Sequence, residues 1–146
     1  MLSVTRVFEW DSAHRLVGHE GACAALHGHR YRAEITVSKH VTDELGRILD
    51  FTDLKSCVNG WINRHWDHTT IVWKEDKELI EFCTQQVLRT GIGEPYVLDD
   101  NPTAEAMAEH LHKVTTDLLE NRDKNLRVDK VVIFETPNCF ATYLPK

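Results

Sequence analysis

The chain has 146 residues, 17 basic and 23 acidic side chains and a net charge of −6. That is one domain's length, expected to run as a single unit over residues 1–146 and long enough to bury a core without disulfide staples. The acidic balance and the lack of a Lys/Arg tract argue against direct nucleic-acid binding, and no apolar run approaches the roughly 20 residues of a membrane span.

Leu2 to His14 alternates, with Leu2, Val4, Phe8 and Trp10 on one face, and is predicted as a strand. It carries Arg6 and Glu9, unlike a signal peptide. Leu16 to Leu26 has no period and is expected to be a loop. From His29 the alternation is clean: Tyr31, Ala33, Ile35 and Val37 face one way and Arg30, Arg32, Glu34 and Thr36 the other, as in a half-buried antiparallel strand. A short strand is expected over Arg47–Phe51. Asp53 is the expected cap of a helix with Leu54, Val58, Trp61, Ile62 and His65 inward. A second helix is predicted from Asp76 to about Arg89, ended by Gly91, Gly93 and Pro95. Tyr96 to Leu98 reads as a short extended piece, and Asn101-Pro102-Thr103 starts a third helix with Met107, Ala108, Leu111, Val114 and Leu118 inward. Val128–Thr136 and Phe140–Leu144 are predicted strands hinged at Pro137-Asn138. Strand pairs segregated from helices imply an α+β domain, an antiparallel sheet with helices on one face.

Nine histidines are the compositional anomaly. In His27-Gly28-His29 the two imidazoles lie two residues apart, so on a strand both project to one side, and Gly28 allows a close backbone approach. His14 ends the first strand. Three neutral imidazoles suit zinc, and three protein ligands leave the fourth position open, as in catalytic sites. The competing interpretation is a pair of surface histidines flanking a turn. Cys23, four residues before His27, is either a structural thiol or one whose thiolate a nearby cation favours. Asp67-His68 is a candidate carboxylate–imidazole pair. Glu135, in the apolar run Val131-Val132-Ile133-Phe134, either needs a partner or sits on an edge strand open to water. His19, His40, His65, His110 and His112 are assigned to surface or packing, and Cys57, Cys83 and Cys139 to core faces. The four cysteines form no Cys-x-x-Cys pair and no disulfide framework, which fits a cytoplasmic location.

Taken together these segments resemble the family of 6-pyruvoyl- and 6-carboxy-tetrahydropterin synthases. The resemblance is carried by Phe8-x-x-x-x-Ala13-His14-Arg15-Leu16, Cys23-x-x-x-His27-Gly28-His29, Asp50-Phe51-x-x-Leu54-Lys55, Asp67-His68, Asn101-Pro102-Thr103-Ala104-Glu105 and Glu135-Thr136, in family order over nearly the whole chain. It implies a tunnelling fold (T-fold), in which four-stranded antiparallel sheets with helices on one side join into a barrel. The implied assembly is a homo-oligomer, usually a hexamer built as a dimer of trimers. It further implies His14, His27 and His29 as ligands of a Zn2+ ion and Cys23 as the proton-abstracting cysteine. Asp67 and His68 are implied as a relay pair that completes the site of a neighbouring subunit. Glu135 is implied as the anchor of the pterin, with Thr103 and Glu105 as nearby substrate-binding positions.

Three features resemble the carboxy branch, which acts in queuosine and 7-deazaguanine biosynthesis. These are the three residues between Cys23 and His27, the pair Asp50-Phe51, and the Asn-Pro form before Thr103. The implied activity is that of a zinc-dependent lyase acting on a pterin triphosphate. It would convert 7,8-dihydroneopterin triphosphate to 6-carboxy-tetrahydropterin, releasing acetaldehyde and triphosphate. The alternatives are the pyruvoyl branch, which eliminates triphosphate from the same substrate, and a non-catalytic zinc-binding scaffold. Trp66, Asp11-Ser12 and a long segment from about Trp73 to Asp100 depart from the family pattern.

Overall fold

Two strands of 13 residues, β1 (Leu2–His14) and β2 (His27–Lys39), pair antiparallel over their full length in the computed structural model, which describes all 146 residues. Their register runs from Leu2 opposite Lys39 to His14 opposite His27. Residues directly opposite share a face, so Phe8, Trp10 and His14 lie buried beside Tyr31, Ala33, Ile35 and Val37. Trp10 stacks on Tyr31 with ring centroids 5.4 Å apart, a pairing worth roughly 0.5–1.5 kcal/mol beyond the area it buries.

Four further strands complete the sheet: β3 (Thr69–Trp73), β4 (Tyr96–Leu98), β5 (Arg127–Thr136) and β6 (Cys139–Tyr143). The order across it is β4-β3-β1-β2-β5-β6. The expected antiparallel four are β1, β2, β5 and β6; β3 and β4 extend them by two short parallel strands beyond β1. Tyr96–Leu98 was legible as extended, whereas β3 has no alternation to announce it.

The first helical segment is α1 (Phe51–Leu54), a π-helical turn (Lys55–Asn59) and α2 (Gly60–His65) in unbroken succession. Ser56 Oγ and Cys57 Sγ both donate to the Asp53 carbonyl, at 3.0 and 3.1 Å. Such side-chain bonds compete with the backbone ladder and account for the widened turn. The four-residue spacing of Leu54, Val58 and Ile62 keeps all three fully buried. Two expectations fail here. No strand forms over Arg47–Phe51, because Arg47 folds back onto Asp43 and Asp50. The cap is Asp50, which accepts from the Thr52 N–H, whereas the Asp53 carboxylate pairs with Arg122.

Helix α3 (Lys77–Thr90) is capped by Asp76 and ends at Gly91, whose φ of 73° is the left-handed conformation glycine adopts without strain. Helix α4 (Ala104–Glu120) is capped by Thr103 and packs on β5 and β6. Met107, Ala108, Leu111 and Leu119 fill the space between α4 and the sheet. Trp66 lies in this core against Trp10 and Trp61, with His65, Tyr96 and His110 at its margin. His65 and His110 are thus packing residues, and Tyr96 hydroxyl and His110 Nε2 are 2.7 Å apart. Of the cysteines assigned to core faces, Cys83 is buried and Cys57 half-buried, but Cys139 is exposed at the β5–β6 turn. All four are free thiols. No helix is long and apolar enough to cross a membrane.

Candidate active site

The β1–β2 register builds the histidine trio. His14 stands opposite His27, and Ser12 opposite His29, so all three imidazoles emerge on the buried face at one end of the sheet. Their ring centroids are 4.6 to 5.1 Å apart, and one nitrogen from each lies within 4.8 Å of the others. A Cβ at Gly28 would stand 3.3 Å from the Ser12 carbonyl oxygen, so glycine suits the close approach of the strands here. His14 is fully buried; His27 and His29 are half-buried.

Second contacts fix how two of the rings are presented. His14 Nδ1 is 2.7 Å from the Pro102 carbonyl oxygen, and His27 Nδ1 is 2.7 Å from that of Ala25. A carbonyl only accepts, so both Nδ1 atoms carry the hydrogen and both Nε2 atoms present lone pairs. Those two Nε2 atoms face each other at 3.1 Å. Uncompensated lone pairs at that distance repel, so the arrangement calls for a cation between them. A proton is a poor candidate, since burial, reinforced by the charges of His27 and His29, holds the His14 pKa down to about 4. Burial, and then His27, lowers that of His29 as well. Two nitrogens on one tetrahedral zinc, with bonds of about 2.0–2.1 Å, would stand roughly 3.3 Å apart. The donor set therefore fits a metal ion, with both imidazoles held by outer carbonyls as metal-ligating histidines are.

Glu135 joins this group. One carboxylate oxygen lies 3.8 Å from His14 Nε2. Strand β5 runs between β2 and β6, which removes the edge-strand interpretation. Burial, and then the negative charge of Glu105, raises the Glu135 pKa. The β2–β5 register, carried one step past Arg32 opposite Phe134, sets Tyr31 opposite Glu135. Tyr31 Oη and Ser12 Oγ, both on this face, are buried without a hydrogen-bond partner.

The remaining sequence-derived candidates make no hydrogen bond to the trio. Cys23 is half-buried in a short 3-10 turn, Ala22–Ala24, and its carbonyl accepts from the Leu16 N–H at 2.8 Å. Asp67 and His68 do form a pair: His68 Nδ1 is 3.1 Å from Asp67 Oδ2. Asp67 Oδ1 also accepts from the Asp11 N–H at 3.1 Å. Burial alone would raise the Asp67 pKa, but the Asp11 N–H and His68 outweigh it and the net shift is downward. His68 holds the left-handed conformation, φ 56°, which projects its ring outward at 79% exposure. It shares a shallow depression with Asp11, Gly28 and His29 and makes no hydrogen bond to the trio. Thr103 Oγ1 accepts from the Ala106 N–H at 3.2 Å, and Glu105 stands exposed in the first turn of α4.

Three features went unseen in the sequence. The Pro102 carbonyl holds His14 from 88 residues away. Asn101 pairs with the backbone of Val17. Arg15, next to His14, makes a two-pronged ion pair with buried Asp76 at 2.7 and 2.6 Å. The only sequence signal for the first two was Asn101-Pro102-Thr103, which reads equally well as a plain helix start.

A sheet whose antiparallel strands β1, β2 and β5 gather three histidines and a carboxylate at one end, with helices packed on that face, defines the class. Residues 3–146 match the family described as 6-pyruvoyl tetrahydropterin synthase, and the chain belongs to that family. It is a pterin synthase, as that family is. More particularly, it is 41% identical to the 6-carboxy-5,6,7,8-tetrahydropterin synthase of Rickettsia bellii over 97% of this chain and 99% of that one. Identity to the protein of the same name from Rickettsia felis is 39%, with the same coverage. The fold is also that of the Caenorhabditis elegans 6-pyruvoyl tetrahydropterin synthase structure, with a TM-score of 0.68 at 22% identity, covering 99% of this chain and 96% of that one.

Proposed function

We propose that this chain is a zinc-dependent lyase that converts 7,8-dihydroneopterin triphosphate to 6-carboxy-5,6,7,8-tetrahydropterin, releasing acetaldehyde and triphosphate, in queuosine biosynthesis. The observation that carries the proposal is the facing pair of Nε2 lone pairs of His14 and His27, 3.1 Å apart, with Glu135 within 3.8 Å of the same His14 nitrogen. Three imidazoles able to hold a metal and a carboxylate able to accept hydrogen bonds thus adjoin. The near-full-length relatives at about 40% identity that carry the carboxy name support this branch over the pyruvoyl one.

His14, His27 and His29 would hold the zinc ion, which when bound supplies Lewis-acid polarisation of substrate oxygen. Glu135 accepts two parallel N–H groups from the flat, amidine-like edge of a pterin; the ionised form suits this, and two charge-assisted bonds offset its partial burial. Thr103 and Glu105, at the start of α4, line the approach to the pterin. Cys23 Sγ takes a proton from the substrate side chain. His68, oriented by Asp67 through Nδ1, exchanges protons through its free Nε2, and its outward projection suits service to the site of a neighbouring subunit.

The test is product analysis. Zinc-loaded protein incubated with 7,8-dihydroneopterin triphosphate should give a carboxypterin by mass spectrometry and stoichiometric acetaldehyde. A pyruvoylpterin without acetaldehyde would transfer the chain to the other branch, and no product would leave the scaffold alternative.

A further inference from the structure

We propose that Asn101 is a positioning residue that sets both the metal ligand His14 and the loop bearing Cys23; the inference rests on the metal-site assignment above. The Asn101 side chain lies against the Val17 backbone as a second strand would. The Val17 N–H donates to Asn101 Oδ1 at 3.0 Å, and Asn101 Nδ2 donates to the Val17 carbonyl at 2.9 Å. Both ends of this clamp lead into the site. Downstream of Asn101, the Pro102 carbonyl accepts from His14 Nδ1 at 2.7 Å. The Asn101 carbonyl itself accepts from the Thr103 N–H at 2.7 Å, which folds a tight turn around Pro102. Pro102 is buried, with φ fixed by its ring, so the direction of its carbonyl follows the placement of its neighbours. On the other side, the residue before Val17 carries the N–H that binds the Cys23 carbonyl at 2.8 Å.

One side chain therefore ties the exit of β1 to the entry of α4 and secures the ring whose tautomer must present Nε2 inward. The requirement is chemically narrow. Only an amide offers a donor and an acceptor on one planar group of this reach; a carboxylate keeps the acceptor and loses the donor. The neighbouring Arg15–Asp76 pair anchors the same strand exit to α3 but has no connection to Pro102.

The test compares the parent with Asn101→Ala and Asn101→Asp. Zinc affinity, measured by competition with a chromophoric chelator, should fall by up to about 10-fold for Asn101→Ala. That is the low end of the loss seen when an outer partner is removed outright, because the Pro102 carbonyl remains but is no longer held. Asn101→Asp should lose less, since the Val17 N–H keeps its acceptor. In zinc-free protein, long-range nitrogen–proton NMR should find His14 protonated at Nδ1 in the parent and as mixed tautomers in Asn101→Ala. A purely structural role would lower the melting temperature and leave affinity and tautomer alone, which would overturn the proposal. Should Asn101→Ala not fold, parent affinity and parent tautomer in Asn101→Asp would overturn it equally. If His27→Ala keeps parent affinity, the metal assignment fails instead, while the zinc-free tautomer measurement still decides the role of Asn101.

Discussion

At the scale of single residues, the sharpest division is between groups that would hold metal, groups that would move protons and groups that would hold substrate. Cys23 sits in a turn with no buried residue, so Cys23→Ala should change stability by less than about 0.5 kcal/mol. It should keep its zinc and lose most activity; near-normal turnover of the zinc-loaded variant would remove the cysteine from the reaction. Glu135→Gln keeps the shape but turns one acceptor into a donor facing a pterin donor. The loss should be about 3 kcal/mol or more, over a hundredfold in kcat/KM, with zinc content unchanged. Parent-like turnover there would make the carboxylate merely structural. The buried His14 gives the metal-free protein a pH signature. Its pKa falls from 6.5 unfolded to about 4 folded, so the unfolded chain binds the extra proton between those values. The resulting stability, about 3 kcal/mol, is complete above pH 6.5 and is lost as pH falls toward 4. Urea melts of chelator-treated protein at pH 7 and pH 5 should differ in that direction, and equal midpoints would contradict a buried neutral His14.

At the scale of elements, the helix starts are organised by single carboxylates and hydroxyls, and α3 offers the clearest test. Asp76 is buried, accepts from the Leu79 N–H at 3.2 Å and grips Arg15 through both oxygens. Asp76→Ala removes a cap and breaks a partly buried ion pair, and should cost about 2–3 kcal/mol in urea melts. Asp76→Asn keeps the cap acceptor and should recover about 1 kcal/mol of that. Equal losses would mean that the ion pair carries all of the effect. The start of α3 was legible at Asp76 from the periodic run, although Asp76 turns out to be its cap and not its first helical residue. The cap of α1 was not legible, since Asp50 and Asp53 are equally good cap residues and only the distant Arg122 draws Asp53 away. The long strands were legible from alternation, and His27 and His29 from their two-residue spacing. That His14 meets them depends on the β1–β2 register, which alternation permits without specifying. Strand β3 and the Pro102–His14 contact arise from pairings between distant segments, and no local pattern encodes those.

At the scale of the whole molecule, the sheet is finished on one face only. The helices cover the face bearing Trp10, Tyr31 and Ile35, while the other shows Val7, 44% exposed, among the ion pairs Asp11–Arg30 and Arg32–Glu34. The edge strand β6 ends the sheet with Phe140 exposed and holds no lysine or proline between Cys139 and Tyr143, although Pro145 and Lys146 follow shortly after it. Open edges with exposed apolar residues are sites where another strand adds. Symmetric self-association would pair such edges, and closing the sheets into a ring would leave none free. The protein is therefore expected to be a homo-oligomer larger than a dimer. The outward His68, which makes no hydrogen bond to the histidine trio of its own chain, would then gain a site to serve in a neighbour. Light scattering should return a mass well above two chains. Mixing His68→Ala with Cys23→Ala protein should restore part of the activity that each lacks alone, provided the two come from different subunits. A monomer that remains fully active at the concentration measured, or mixtures that never recover activity despite subunit exchange, would place the complete site within a single chain.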